Sequence, residues 1–203
     1  MDVDPLAENN VSEGLVNFFL NELKDIFWAE KHLAKLFQKM QKAAAGNSLK
    51  ITLADYVDSI ESQFEKLKQI FEILGETPRG KGSELMTALA EEAKKVIEHT
   101  RKESDRNDAH IISAAQKIQN HKIASYDTLI QLAVTLGNDA VIPVLEEALS
   151  VEKQAIALLN NITESNIDPT GETKAGKTAL KDSEEQAATV YDSINLTGKH
   201  TKE

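Results

Sequence analysis

The chain contains no cysteine. Thiol catalysis, disulfides and thiolate metal sites are thereby excluded, while the compartment is left open. Four prolines and nine glycines in 203 residues are too few for a β-rich fold full of turns. Aromatic residues reach only 5%. No apolar run approaches the roughly 20 residues that span a membrane. Basic residues are also scarce, at 23 Lys and Arg against 33 Asp and Glu, for a formal net charge of -10. Nucleic acid is therefore not an expected partner, because a phosphate backbone needs a basic face. An anionic membrane surface is not expected for the same reason. The first ten residues are acidic and polar, unlike a signal peptide, and the cytoplasm is the expected location.

What the chain does have is helical periodicity and, at 41% hydrophobic residues, enough apolar material for a core. Between Asp108 and Leu136, the residues Ile111, Ala115, Ile118, Leu129, Leu132 and Leu136 recur at steps of four and three. That spacing draws one face of a long helix toward a core. The same stripe passes through Lys122 and Ser125. A second stripe, Val16, Leu20, Leu23, Phe27, Ala34 and Phe37, runs through Glu30. A third, Ile142, Leu145, Leu149, Ile156 and Leu159, runs through Glu152. Three helices thus each place one charged residue in mid-seam, two acids and one base. A charge there is costly unless it has a partner.

In chain order, an arm over residues 1–10 precedes a bundle domain over 11–162 and a polar tail over 163–203. Asn10 and Glu13 have capping-box spacing, which predicts the start of the first long helix. That helix runs to about Ala45 with a wide apolar face that includes Phe18, Ile26, Leu33, Leu36 and Met40. Gly46 offers a left-handed cap, and Asn47 or Ser48 can start the next helix. The second helix extends to about Leu74 on Leu53, Val57, Ile60, Phe64, Leu67 and Phe71, and Gly75 closes it. A loop over 77–82 leads to Ser83, which can cap a shorter helix to about Thr100. The third long helix ends at Gly137 and the fourth runs from about Asp139 to Ile162, with Pro143 tolerable only in its first turn. In the tail, Leu180, Ala187, Val190, Tyr191 and Ile194 allow a short amphipathic helix. The reading is an all-α four-helix bundle with a long crossover connection that carries a shorter fifth helix, a ferritin-like topology.

Bundles of this kind hold di-metal sites built from one Glu on each of two helices and Glu-x-x-His on the other two. Here Glu30 and Glu152 lie on the first and fourth long helices, and Asp58 and Glu61 have i, i+3 spacing on the second. Asp58 is expected to be the more exposed of that pair. No histidine accompanies them. His32, His99, His110, His121 and His200 read as surface residues, with His121 at the border of a seam. Lys122 is no ligand for a divalent ion at neutral pH. Three readings follow: a metal-free salt-bridged cluster, a residual mononuclear site with Lys122 swung aside, or Lys122 snorkelling outward. No nucleophile triad or phosphate loop is present.

Four segments carry a family resemblance: Glu22-Leu-Lys-Asp-Ile-Phe-Trp-Ala-Glu30-Lys, Phe71-Glu-Ile-Leu-Gly-Glu-Thr-Pro-Arg-Gly, Ile123-Ala-Ser-Tyr-Asp-Thr-Leu129 and Glu146-Glu-Ala-Leu-Ser-Val-Glu152-Lys. In order and spacing the chain resembles the YciE/YciF-like proteins, bacterial stress-associated members of the ferritin-like group, over about Val11 to Ile162. The resemblance implies a ferritin-like bundle, commonly a homodimer. It also implies an ancestral carboxylate-rich metal site at Glu30, Asp58, Glu61, Lys122 and Glu152. The departures fall on that site. Acidic residues stand in the family pattern where this chain has Gln119 and Lys122, often with His in place of Asn120, and Glu is usual where Asp58 stands.

The expectation is a non-enzymatic, stress-associated protein without a cofactor. Its degenerate di-metal site keeps Glu30, Asp58, Glu61 and Glu152 as vestigial or weak ligands, and Lys122 takes the place of the metal as internal cation. The alternative is a carboxylate-bridged iron or manganese protein that handles peroxide or oxygen. A homodimer is expected through the first helix, whose apolar face exceeds one seam, or through the apolar side of the Ser83 helix.

Overall fold

The structure, a computed structural model, describes residues 5–100 and 107–167. Five α-helices account for most of them: α1 over Pro5–Ala43, α2 over Asn47–Ile73, α3 over Glu84–Thr100, α4 over Asn107–Thr135 and α5 over Ile142–Ile167. A single 3-10 turn at Asp139–Val141 leads into α5. Pro143 therefore sits in the first helical turn, where its missing N–H leaves no carbonyl unpaired. The described residues up to Thr163 form one compact unit. Of the second, Glu164–Glu203, only the end of α5 is described, so the amphipathic helix expected around Leu180–Ile194 lies outside the described residues.

The architecture is a ferritin-like helical bundle in which α1, α2, α4 and α5 are the long members. α1 and α2 form an antiparallel pair. Phe27 stacks on Phe64 at 4.7 Å and meets Phe71 edge-on at 5.1 Å, while Phe37 meets Tyr56 edge-on at 4.7 Å. Gly75, in the left-handed region at φ 68°, ends α2. The Glu76 N–H donates to Phe71 O at 2.9 Å across that turn, the bond such a cap supplies. The chain must then return along the bundle before α4 can begin, and α3 makes the return.

The start of α3 is pinned to α1. Asp25 accepts the Ser83 N–H at 2.5 Å, and Ser83 Oγ accepts the Met86 N–H at 3.1 Å as an N-cap. Just before it, the Lys81 N–H donates to Lys24 O at 3.0 Å. Gly80 and Gly82 are required there by proximity. A Cβ on Gly80 would stand 2.8 Å from Trp28 Cα, and one on Gly82 would stand 2.6 Å from the Trp28 ring.

At the other end, Asp108 at the start of α4 accepts the N–H groups of Ala45 and Gly46 at 2.7 and 2.8 Å. This corrects the expectation for the α1–α2 turn. Gly46 is extended, at φ -72°, rather than left-handed, and no side chain of Asn47 or Ser48 caps α2. Glycine is suited to the place because a Cβ would lie 2.8 Å from the Asp108 carboxylate. The start of α1 also differs. The helix begins at Pro5, so residues 5–10 of the expected arm are helical and Asn10 lies inside the helix rather than at its start.

The core follows the apolar stripes. Leu23, Leu33, Phe37, Ile60, Phe71, Ile111, Ala115, Ile118 and Leu129 are almost wholly buried. Each large apolar side chain so buried contributes about 1.5–3 kcal/mol. Val16 is an exception, at 40% exposed. The wide face of α1 is consumed within the chain, since Ile26, Leu33, Leu36 and Met40 are all buried and α1 packs against α2, α3 and α4. Val16 and Phe18 near its start, and Leu85 on α3, keep exposed apolar surface.

Candidate functional site, a buried lysine–carboxylate cage

At mid-height of the bundle the seams close on a polar cage. Lys122 of α4 has no exposed surface. Its ammonium donates to Glu30 Oε2 of α1 at 2.9 Å, to Tyr56 Oη of α2 at 2.9 Å and to Glu152 Oε1 of α5 at 2.6 Å. One cation thus ties four helices together. The Tyr56 hydroxyl donates to Glu152 Oε2 at 2.5 Å, and Gln63 Nε2 donates to Glu152 Oε1 at 3.3 Å. Tyr126 of α4 lies 2.7 Å from Glu30 Oε1 and 3.1 Å from Gln63 Oε1. All six side chains are buried.

Local sequence explains the convergence. Lys122 and Tyr126 are four residues apart, one above the other on α4. Tyr56, Ile60 and Gln63 repeat at four and three on α2, so the phenol and the amide face the same interior. Glu30 and Glu152 interrupt the apolar stripes of α1 and α5 at the same height.

Burial dominates the electrostatics. It raises Glu30 to about 7, against Lys122, which lowers it, and with Glu152, which raises it further. For Lys122, burial opposes the charge, but the Glu152 and Glu30 carboxylates outweigh it and the ammonium is held above its ordinary value. Burial and the facing carboxylates push both phenols well above theirs, so Tyr56 and Tyr126 are neutral. Glu30, Lys122 and Glu152 therefore form a hydrogen-bonded ionisable group in which every hydrogen-bond partner is itself buried.

The other residues singled out from sequence lie elsewhere. Asp58 and Glu61 are exposed. Glu61 shares with Glu30 the lining of a groove between α1 and α2 but makes no hydrogen bond into the cage. His32 is exposed and stacks on Trp28 at 4.3 Å, and His99 and His110 are also exposed. His200 lies outside the described residues. His121 is half-buried, with Nε2 3.8 Å from Asp25 Oδ2, too far for a hydrogen bond. Tyr56, Gln63 and Tyr126 were not anticipated, because an uncharged phenol or amide does not interrupt an apolar stripe as a lysine or glutamate does. Their spacing places Tyr56 and Gln63 on one face of α2, and Lys122 and Tyr126 on one face of α4, without marking them as polar partners. Gln119, one turn before Lys122, is also buried, and its Oε1 has no hydrogen-bond partner among the described residues.

A family model described as a domain of unknown function, DUF892, matches residues 15–170. The chain belongs to this family. It is 33% identical over 158 residues to protein YciF of Escherichia coli strain K12, which covers 77% of this chain and 95% of that protein. Among solved structures, that of the E. coli stress protein YciF matches with a TM-score of 0.70 at 28% identity, over 77% of this chain and 98% of the other. That of YcfI from Rhodopseudomonas palustris matches with a TM-score of 0.67 at 32% identity, over 72% of this chain and 92% of the other.

The ferritin-like shape of this DUF892 member raises the question of a metal at the centre. The donor set does not fit one. Lys122 Nζ stands within 2.9 Å of both central carboxylates, in the space a divalent ion would take. The two acids expected from α2 face away, and Tyr56 and Gln63 occupy the interior in their place. Among the described residues no three His, Asp or Glu side chains converge as ligands. No described helix is long and apolar enough to cross a membrane.

Proposed function

We propose that this DUF892 protein is a non-enzymatic, cytoplasmic stress protein whose ancestral di-metal position is filled by an internal cation, the Lys122 ammonium. One observation carries the reading: a fully buried lysine donates to carboxylates from two different helices, Glu30 at 2.9 Å and Glu152 at 2.6 Å. Stress association is inferred from the likeness to the E. coli stress protein YciF. The cage is filled by protein side chains and leaves no open position at which a substrate could meet an ion. In this role its work is structural, joining α1, α2, α4 and α5 at one level.

A homodimer belongs to the same reading, supported by the apolar surface that Val16, Phe18 and Leu85 leave exposed. Elemental analysis of the purified protein tests the central claim, with less than a tenth of an equivalent of iron or manganese expected. Near-stoichiometric metal that survives chelation would refute it in favour of a peroxide- or oxygen-handling metalloprotein. Light scattering at micromolar concentration tests the dimer, and a monomeric mass counts against it.

A further inference from the structure

Counting hydrogens in the cage leaves it one short. The three N–H groups of Lys122 are used by the Glu30 carboxyl, whose Oε1 and Oε2 both lie 2.9 Å from the ammonium, by Tyr56 Oη and by Glu152 Oε1. The Tyr56 hydroxyl goes to Glu152 Oε2 and the Gln63 amide to Glu152 Oε1. What remains is the single hydroxyl hydrogen of Tyr126, and two acceptors lie within its reach: Glu30 Oε1 at 2.7 Å and Gln63 Oε1 at 3.1 Å. A phenol has one hydrogen to give. If Glu30 is a carboxylate, one of these two O···O contacts holds no hydrogen. Either Gln63 Oε1 is left without a donor, or Glu30 Oε1, sharing the Lys122 ammonium with Oε2, is set lone pair to lone pair against the phenol oxygen at 2.7 Å, and both are costly in such a site. Turning the Gln63 amide over does not help. Tyr126 then gains a donor, but Gln63 Oε1 is set against Glu152 Oε1, acceptor to acceptor at 3.3 Å.

We infer that the cage binds one proton, held on Glu30 Oε1, and that it is built from one carboxylic acid, one carboxylate and one ammonium. With that proton the chain of bonds closes. Glu30 donates to Tyr126 Oη, Tyr126 donates to Gln63 Oε1, and Gln63 donates to Glu152. The buried net charge becomes zero. Glu152 is the member that stays ionised, because it already receives donors from Lys122, Gln63 and Tyr56. The raised titration of Glu30 by burial agrees in direction.

The groups that face Glu30 are Tyr56 from α2, Lys122 and Tyr126 from α4 and Glu152 from α5. Around the groove of about 450 Å³ that Glu30 helps to line stand Lys31 and Lys35 of α1 and Glu61 and Glu65 of α2. That groove gives the proton a route to solvent, although Glu30 itself is only 1% exposed. The site's exchangeable ligand is thus a proton, held beside the ammonium that takes the metal's place. This inference rests on the metal-free reading above.

The decisive comparison is between two isosteric variants of the full chain. Glu30→Gln mimics the protonated acid, since its amide can donate to Tyr126 while its oxygen accepts from Lys122. Glu152→Gln cannot mimic its carboxylate, because an amide N–H would face donors. At pH 6, Glu30→Gln is expected to melt within about 2 °C of the parent, and Glu152→Gln about 10 °C lower, or not to fold. Infrared spectra of the parent should show the carbonyl stretch of a buried neutral carboxylic acid, clear of the carboxylate bands. Glu30→Gln should lack it. If Glu30→Gln is damaged as much as Glu152→Gln, or if the parent lacks the band, the proton inference is overturned while the metal-free reading stands. If the band survives in Glu30→Gln, the proton is elsewhere and the assignment is wrong. Stoichiometric iron or manganese in the parent overturns both.

Discussion

Lys122 Nζ lies 2.6 Å from Glu152 Oε1, and neither side chain has any solvent-exposed surface. A buried pair at that distance is weak evidence for stability by itself, because both charges were taken out of water. What makes it consequential is asymmetry. Forming the pair is close to neutral in free energy, whereas removing one partner leaves the other charge buried and unpaired.

Lys122→Met therefore tests the cage most directly. The thioether fills much of the space but leaves the Glu152 carboxylate, and Glu30 wherever it is ionised, without a counter-charge. The expected loss is about 3–5 kcal/mol at neutral pH. For a domain of this size that is a drop of about 6–20 °C in Tm. The deficit should shrink in mild acid, where protonation of the stranded carboxylates removes their repulsion. Thermal melts of parent and variant at pH 5 and pH 7.5 measure both effects. A variant that melts like its parent at neutral pH would mean that Lys122 is not the cation on which the cage depends.

The titration of Glu30 sets a second expectation, for the parent. Its folded value, about 7, lies above the ordinary 4.5. A carboxyl raised on folding favours the folded state while protonated. Its contribution is complete below about 4.5 and is lost as pH rises through about 7. Stability should decline across that window by up to about 1.4 kcal/mol per pH unit from this group. Glu30→Gln should flatten the decline. Asp25 acts in the opposite sense. Burial alone would raise it, but hydrogen bonding to its carboxylate outweighs burial and lowers it, the close contact being the Ser83 amide. Its contribution is present above 3.8 and is lost as pH falls further. Chemical denaturation of the parent and of Glu30→Gln from pH 4 to pH 8 separates the two trends.

The bundle was legible in the sequence because four-three spacing is a one-dimensional signal. Ile111, Ala115, Ile118 and Leu129 mark their stripe without knowledge of any partner. Lys122, Glu30 and Glu152 were legible for the same reason, as charges that break a periodic apolar face. Tyr56, Gln63 and Tyr126 were not, since a phenol or an amide beside a seam is ordinary until a buried acceptor stands opposite it. Asp58 and Glu61 have the spacing of a ligand pair, yet the rotation of α2 about its axis gives Tyr56, Ile60 and Gln63 to the interior and leaves both acids exposed. The turn at Gly46 was misread because its partner, Asp108, lies 62 residues away in sequence. A cap supplied from another helix leaves no local trace.

The approach of the 80–82 segment to Trp28 gives a prediction independent of the cage. A Cβ on Gly80 would come within 2.8 Å of Trp28 Cα, which is backbone and cannot swing away. Gly80→Ala should cost about 1–3 kcal/mol through displacement of the segment that feeds α3. Gly75→Ala has nothing within 4 Å of its new Cβ, but its φ of 68° makes the change strained for a different reason. The two are distinguished by Gly→Asn. Asparagine tolerates the left-handed region and should recover part of the loss at position 75, but not at position 80. Tm values of the four variants decide it.

Restoring an acid on α4 asks whether the cage can be turned back toward metal chemistry. Lys122→Glu would place a third carboxylate beside Glu30 and Glu152 and remove the cation that neutralises them. Two unit charges about 5 Å apart repel by roughly 3 kcal/mol at an effective dielectric of 20. The variant should therefore be markedly less stable than Lys122→Met at neutral pH without metal. Added Mn²⁺ or Fe²⁺ should raise its Tm in proportion to the logarithm of metal concentration, because a ligand bound only by the folded state stabilises it by mass action. The parent should not respond, since its ammonium already fills the space between the carboxylates. Melts of both proteins across a metal titration, with Mg²⁺ as a control for non-specific screening, make the comparison. A parent that gains several degrees from Mn²⁺ would show that Lys122 can swing aside and that the site still binds metal. A Lys122→Glu variant that gains nothing would show that, without inward-facing acids from α2, three carboxylates are too few to hold an ion in this bundle.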